Sequence, residues 1–239
     1  MTKQRKGSLV DLAYDALKRK IIKRDLKPGE YLDEKLLMTE IGVGRTPLRQ
    51  AILLLKNENF IESQVNKSSY IKEFSLDEVK ELYETLAIVE KNVAFLAALR
   101  VNAHELEGIR AVQRKLDHMI EKSEKSLDPN EYEKLCWEFN ELNFEFHIRI
   151  AAAGKNRFLQ KVHYGIRNQA ERFSSVTFIR MMENSTEKRE YIQNISTQHH
   201  EIIRCLEHHD QTRITDLMVK HVIFFQNQIF NSMMEISYA

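Results

Sequence analysis

Asn143 and His147 stand four residues apart in the stretch NFEFH. On a helix that spacing puts an amide oxygen and an imidazole one turn apart on one face. Both are donors that a metal site can use. The chain has nine histidines, and for any one of them alone a satisfied core residue is the better reading. A second chemistry lies in RTPLRQ, residues 45–50. Arg45 and Thr46 open a short helix, and Arg49 and Gln50 point away from its apolar side. Cationic forks and hydroxyls at an exposed helix start suit phosphates and base edges. Cys136 and Cys205 are the two cysteines and form no C-x-x-C pair, so neither a disulfide framework nor a thiolate zinc knuckle is expected.

Residues 33–55, DEKLLMTEIGVGRTPLRQAILLL, position that second group. The apolar spacing predicts two short helices, the first with Leu36, Leu37 and Ile41 on one face and the second with Leu48, Ala51, Ile52 and Leu55 inward. Gly42 marks the stop between them, and Pro47 fits a first helical turn. This is the pattern of a helix-turn-helix, whose second helix enters the DNA major groove N-terminus first. A helix from Ser8 to Arg24, with Leu9, Leu12, Ala13, Ala16, Leu17 and Ile21 on one side, precedes it. Residues 60–63 and 69–74 read as two short strands around the polar turn Asn66-Lys67-Ser68, a wing. Arg45, Thr46 and Arg49 are the expected base-edge or backbone contacts, with Lys35 and Lys67 on phosphates.

The remainder is helical in texture. Seven glycines and three prolines in 239 residues leave few turns. Residues 1–74 hold 15 Lys/Arg against 10 Asp/Glu, a net of +5, and residues 75–239 hold 21 against 25, a net of −4. A basic head on a mildly acidic body fits a phosphate-facing domain joined to a sensor or oligomerisation domain. Six helices are expected in the body: from Ser75 to about Arg100, Ala103 to Lys125, Asn130 to Ala153 ended by Gly154, Arg157 to about Met182, Thr186 to His208, and Asp210 to about Met234. Short links between them imply an antiparallel bundle. The expected class is therefore mostly α: a winged helix-turn-helix over 1–74 and an all-α bundle over 75–239. No apolar run approaches a membrane span, and MTKQRKGS has no apolar signal core behind it, so a cytoplasmic location is expected.

GVGRTPLRQAI, with LKPGEYLDEKLL upstream, resembles the winged-helix signature of the GntR family of bacterial transcriptional regulators. It departs at Gly44, usually Ser or Thr, and at Gln50, usually Glu. The body resembles the family's FadR-type (FCD) C-terminal domain in its six-helix, VanR-like form. That resemblance implies a metal site. The family's D-x-x-F-H motif falls on Asn143 and His147, its H-x-x-I motif begins at His199, and its third histidine falls at His221. Asn143, His147, His199 and His221 are thus the implied ligands. Three neutral imidazoles with open positions suit zinc, nickel or another borderline first-row metal and do not suit calcium. Asn143 in place of Asp leaves the ion its full charge, which weakens metal binding and favours an anionic ligand. Metal binding is expected to weaken as pH falls through roughly 6.5. The family's effector-binding Arg, four residues before Glu90, is here Leu86. Arg167 and Arg172 are the candidate substitutes. His200, His208 and His209 read as surface residues, and His163 faces either core or cavity.

The resemblance implies a homodimeric regulator, a repressor, that binds a double-stranded DNA operator and responds to a carboxylate effector, an organic or sugar acid. The alternative is a metal-dependent enzyme built on the three histidines. It lacks a dedicated base, with no H-E-x-x-H and no carboxylate expected beside the metal, and it leaves residues 1–74 without a role.

Overall fold

The structure is a computed structural model; it describes residues 8–63, 68–73, 75–123, 129–183 and 185–238, and excludes the side chains of 123, 129–130, 132–133, 136, 172, 174–183, 185–189 and 234–238. The chain divides into two compact units, Met1–Ser75 with Glu171–Ser175, and Leu76–Ala170 with Val176–Ala239.

The first unit contains α1 (Leu9–Ile22), α2 (Glu34–Ile41), α3 (Arg45–Asn57), β1 (Ile61–Ser63) and β2 (Ser69–Ile71). Ser8 and Asp11 close a reciprocal capping box at the start of α1, each side chain accepting from the other's backbone N–H. Asp33 caps α2 in the same sense, accepting from Lys35 and Leu36. Gly42 ends α2 at φ 75°, in the left-handed region where a side chain would be strained. Gly44 is the N-cap of α3 and has no side chain to cap it. The strands pair antiparallel, Ile61 opposite Ile71 and Ser63 opposite Ser69. Ala13, Leu17, Leu48, Ala51, Leu55 and Phe60 form the core of this unit, each fully buried. Three expected inward residues are not inside: Leu9, Leu12 and Leu36 are about half exposed. A single helix face is wider than the strip that neighbours can cover, so residues at its edge stay wet.

The second unit holds α4 (Leu76–Arg100), α5 (Ala103–Ser123), α6 (Pro129–Ala153), α7 (Arg157–Glu183), α8 (Ser185–Glu207) and α9 (Gln211–Tyr238). Helix α4 packs against α6, α8 and α9, while α5 packs against α6 and α8. The apolar core runs through Val93, Ala97, Ile109, Leu116, Phe146, Ile150, Ile195, Ile202, Leu206 and Met218. Gly154 was expected to end α6, and the helix stops at Ala153, just before it. The left-handed residue after α6 is Lys155, at φ 51°. At Gly154 a Cβ would stand 3.3 Å from both the Leu96 Cβ and the Ala151 carbonyl, a tight fit that favours glycine where α6 approaches α4. Arg100 donates to the Gly154 carbonyl at 2.8 Å and pins the same corner.

Candidate functional site

Three imidazoles from three helices meet in the bundle. His147 on α6, His199 on α8 and His221 on α9 are fully buried, and one ligand atom of each lies within 4.8 Å of the other two. His147 Nε2 and His221 Nε2 are 3.1 Å apart. Two nitrogens bound to one ion at about 2.1 Å would be about 3.0 Å apart at a right angle and about 3.4 Å apart at a tetrahedral angle. The observed gap falls between these.

Each ring is turned by its other nitrogen. His199 Nδ1 meets Gln113 Oε1 at 2.9 Å, and His221 Nδ1 meets Gln198 Oε1 at 2.6 Å. A carbonyl oxygen can only accept, so both rings carry their proton on Nδ1 and keep an Nε2 lone pair. His199 is further fixed by Phe146, whose ring stacks on it at 3.9 Å and 10°. His147 Nδ1 lies 3.2 Å from Glu90 Oε1, close but not aligned for a hydrogen bond. Among the described residues, His199 Nε2 is buried with no hydrogen-bond partner, and so is Asn143 Oδ1 one turn before His147 on α6. Buried polar atoms without partners are costly unless something else satisfies them. A divalent transition ion would satisfy the imidazole nitrogen and the amide oxygen together, so these residues fit one.

A second buried cluster adjoins the histidines. Arg167 on α7 donates to Glu90 Oε1 at 2.7 Å. His163 Nε2 lies 3.0 Å from the same oxygen, again without alignment, and His163 is fully buried. Burial alone would raise the Glu90 carboxyl, but the charges of His147, His163 and Arg167 beside it hold it well below the usual carboxylate range. Arg167 is charged at neutral pH whatever the histidines do, whereas burial drives the His147 imidazole down to about 4. From the sequence no carboxylate is expected beside the histidines. Glu90 is one, and it was hidden because it lies on a helix 57 positions away from His147 in a stripe otherwise apolar. Its Oε1 is engaged by Arg167, while its Oε2 is buried with no hydrogen-bond partner among the described residues.

Burial also holds His199 and His221 well below their ordinary value. The folded rings therefore stay unprotonated below pH 6.5, which moves the expected loss of metal to more acidic conditions. It also makes acid destabilising. Between pH 6.5 and about 4 the unfolded chain binds protons that the folded chain refuses, so stability is full above 6.5 and falls as pH drops through this window. Each such histidine contributes a slope of up to about 1.4 kcal/mol per pH unit. Thermal melts of chelator-treated protein should show a melting temperature that falls steadily from pH 6.5 to 4. A flat profile would contradict the assigned burial.

The residues expected to meet DNA fall as follows. Arg45, Thr46 and Arg49 are exposed on the first turns of α3, and Lys35 is exposed on α2. Arg49 Nε donates to Glu34 Oε2 at 2.9 Å across the two helices. Lys67 lies outside the described residues. Of the two candidate effector arginines, Arg167 is 8% exposed and not a solvated surface charge, while the Arg172 side chain lies outside the described residues. His200 and His208 are exposed, as expected, and His163 is the further buried histidine. Gln113 and Gln198 went unread in the sequence. A polar residue at a core position of α5, between Ile109 and Leu116, was the available signal for Gln113.

Residues 9–71 match the bacterial regulatory proteins of the gntR family, and residues 81–224 match the FCD domain. The chain belongs to the GntR family of bacterial regulators, in the branch that carries an FCD domain. The Nta operon transcriptional regulator of Aminobacter aminovorans is 29% identical over 153 residues, covering 64% of this chain and 66% of that protein. The regulator LutR of Bacillus subtilis strain 168 is 29% identical over 152 residues, covering 57% and 64%. The chain thus spans just under two thirds of the length of these relatives. The transcriptional repressor GlaR of Escherichia coli K12 is 24% identical over 211 residues, covering 88% and 90%. In fold the chain is similar to E. coli McbR/YncC, with a TM-score of 0.74 at 19% identity over 96% of this chain and 99% of that one. It is also similar to Lar, which controls expression of the Listeria monocytogenes agr system, with a TM-score of 0.60 at 20% identity over 95% and 99%. Among the described residues, no helix is long and apolar enough to cross a membrane.

Proposed function

We propose that this protein is a ligand-responsive, DNA-binding transcriptional repressor of the bacterial cytoplasm. Residues 1–74 bind a double-stranded operator, and residues 75–239 bind metal and effector and hold the dimer together. The observation that carries the reading is the pairing of a gntR-type winged helix with a buried three-histidine cluster in an FCD domain. Zinc or nickel would be held by His147, His199 and His221, with Asn143 Oδ1 beside them. The ion supplies a Lewis-acidic, positively charged centre that an anion can approach. The protein's donors to it are all neutral, so a carboxylate effector, an organic or sugar acid, provides the missing negative charge.

Arg167 is the proposed second anchor for that acid. Its guanidinium has five N–H donors and spends one on Glu90, leaving others for a ligand. On α4, Ile88, Phe95 and Leu99 stand exposed at helical spacing, and Phe158 and Val162 do the same on α7. An exposed apolar face of this kind supports a homodimer of the bundles, which would present two winged helices to two half-sites. The relatives are named as transcriptional regulators, and Glu90 is tied to Arg167, so the enzyme reading is the weaker one.

The test is light scattering on the purified protein with DNA fragments selected for retention. Two chains per fragment are expected, with release when the right carboxylate is added in the presence of zinc or nickel. A monomer at micromolar concentration with no selective retention of any DNA would overturn the proposal.

A further inference from the structure

The metal-facing nitrogen of His199 is set by a relay that ends well outside the centre. Gln113 accepts from His199 Nδ1 through Oε1 at 2.9 Å. An amide has two ends, and the opposite orientation would put its NH2 group against His199. What selects the observed orientation is Asp117, four residues on and on the same side of α5. Gln113 Nε2 donates to Asp117 Oδ1 at 2.8 Å and to Ser196 Oγ at 3.2 Å. Ser196 in turn donates to Asp117 Oδ1 at 2.7 Å, so its oxygen is left to accept from Gln113. Flipping the amide would press its carbonyl oxygen against a carboxylate. Gln113 is 1% exposed, whereas the Asp117 side chain is 31% exposed and also meets His200 Nε2 at 3.1 Å.

We propose that Asp117 is a positioning residue for the metal centre, acting through Gln113. It locks the Gln113 amide with its oxygen toward His199, which keeps the His199 proton on Nδ1 and presents a bare Nε2 to the ion. This rests on the reading of His147, His199 and His221 as metal ligands. Without Asp117 the amide is free to turn, and its NH2 would favour the tautomer that protonates Nε2 and closes the site. Gln198 holds His221 by a parallel device: its Nε2 donates to Asn194 Oδ1 at 2.8 Å, and its oxygen accepts from His221. That second anchor is a neutral amide, so of these two glutamine devices the one at His199 carries the charged lock.

Zinc titration of the full-length protein, with ring-nitrogen NMR of the metal-free form, tests this. Asp117→Ala is expected to weaken zinc binding by about 10-fold or more, within the range found for outer-shell partners of metal histidines. The His199 ring, assigned by its loss in His199→Gln, should change from a pure Nδ1–H tautomer to a mixture. Gln113→Met should weaken zinc to a similar degree. In the Gln113→Met background Asp117→Ala should add less than about twofold, because the two act in series. Asp117→Asn keeps an acceptor oxygen toward Gln113 and should recover most of the affinity. The metal-free melting temperature reports folding separately. Unchanged zinc affinity and an unchanged tautomer in Asp117→Ala, beside tight binding by the natural protein, would overturn the positioning role alone. A natural protein that takes up no zinc would overturn the metal reading and the proposal with it.

Discussion

His199→Leu is expected to lose nearly all transition metal and, with it, the rise in melting temperature that zinc or nickel produces. The side chain is one of three imidazoles that reach the centre from separate helices, so no neighbour can replace its nitrogen. Outer-shell changes alone cost about 10- to 100-fold in affinity, and removal of a ligand should exceed that range. The metal-free protein should respond differently. His199 Nε2 is buried without a partner among the described residues, and an apolar residue of similar size removes that unsatisfied group at the expense of one bond to Gln113. The metal-free melting temperature should therefore change little while the metal-loaded one falls. His200→Leu and His208→Leu, on exposed positions, should do neither. Asn143→Asp should tighten metal binding by adding a charged oxygen beside His147, and reduce the response to an anionic effector. Elemental analysis decides the matter on protein purified without chelator and without a nickel column. If it shows no stoichiometric metal, and added zinc or nickel neither binds nor raises the melting temperature, the histidines are core residues.

Arg45→Ala should cost about 1–3 kcal/mol of operator binding and relax specificity at one base position, as loss of a bidentate contact to guanine does. Arg45 is exposed at the first residue of α3, the end that enters the groove in this class of motif. Arg49 lies one turn on and is paired with Glu34 on α2. Exposed pairs of this kind are worth about 0–1 kcal/mol, so exchanging Glu34 for DNA is inexpensive. The double variant Arg45→Ala/Arg49→Ala should then lose specific binding while its melting temperature stays near that of the natural protein, since neither side chain is in the core. Lys35→Ala should instead weaken binding evenly across sequences and flatten its salt dependence. Unchanged operator affinity in the double variant, measured by titration at fixed salt, would remove α3 as the reading helix.

Sequence by itself determined what periodicity and backbone chemistry can express. The 3.6-residue spacing of Leu48, Ala51, Ile52 and Leu55 placed Arg45, Thr46 and Arg49 on the outside of α3, and the structure has them there. Gly42 announced the left-handed stop of α2 because few other residues tolerate it. The six body helices were legible within a few residues from apolar stripes and the scarcity of Gly and Pro, and resemblance to a family picked His147, His199 and His221 out of nine histidines. Tertiary structure alone decided what lies across from what. Nothing local relates Glu90 to His147, His163 and Arg167, nor Gln113 and Asp117 to His199, because these residues lie on different helices and each looks like an isolated polar residue in its own stripe. Leu36 looked buried because it shares a helix face with Leu37, yet it is about half exposed among the described residues. Gly154 looked like a helix stop, and its close approach to Leu96 is visible only once α4 and α6 are packed. Periodicity tells which side of a helix turns inward; the partner it meets there, and so the proton each histidine carries, depends on the packing of the other helices.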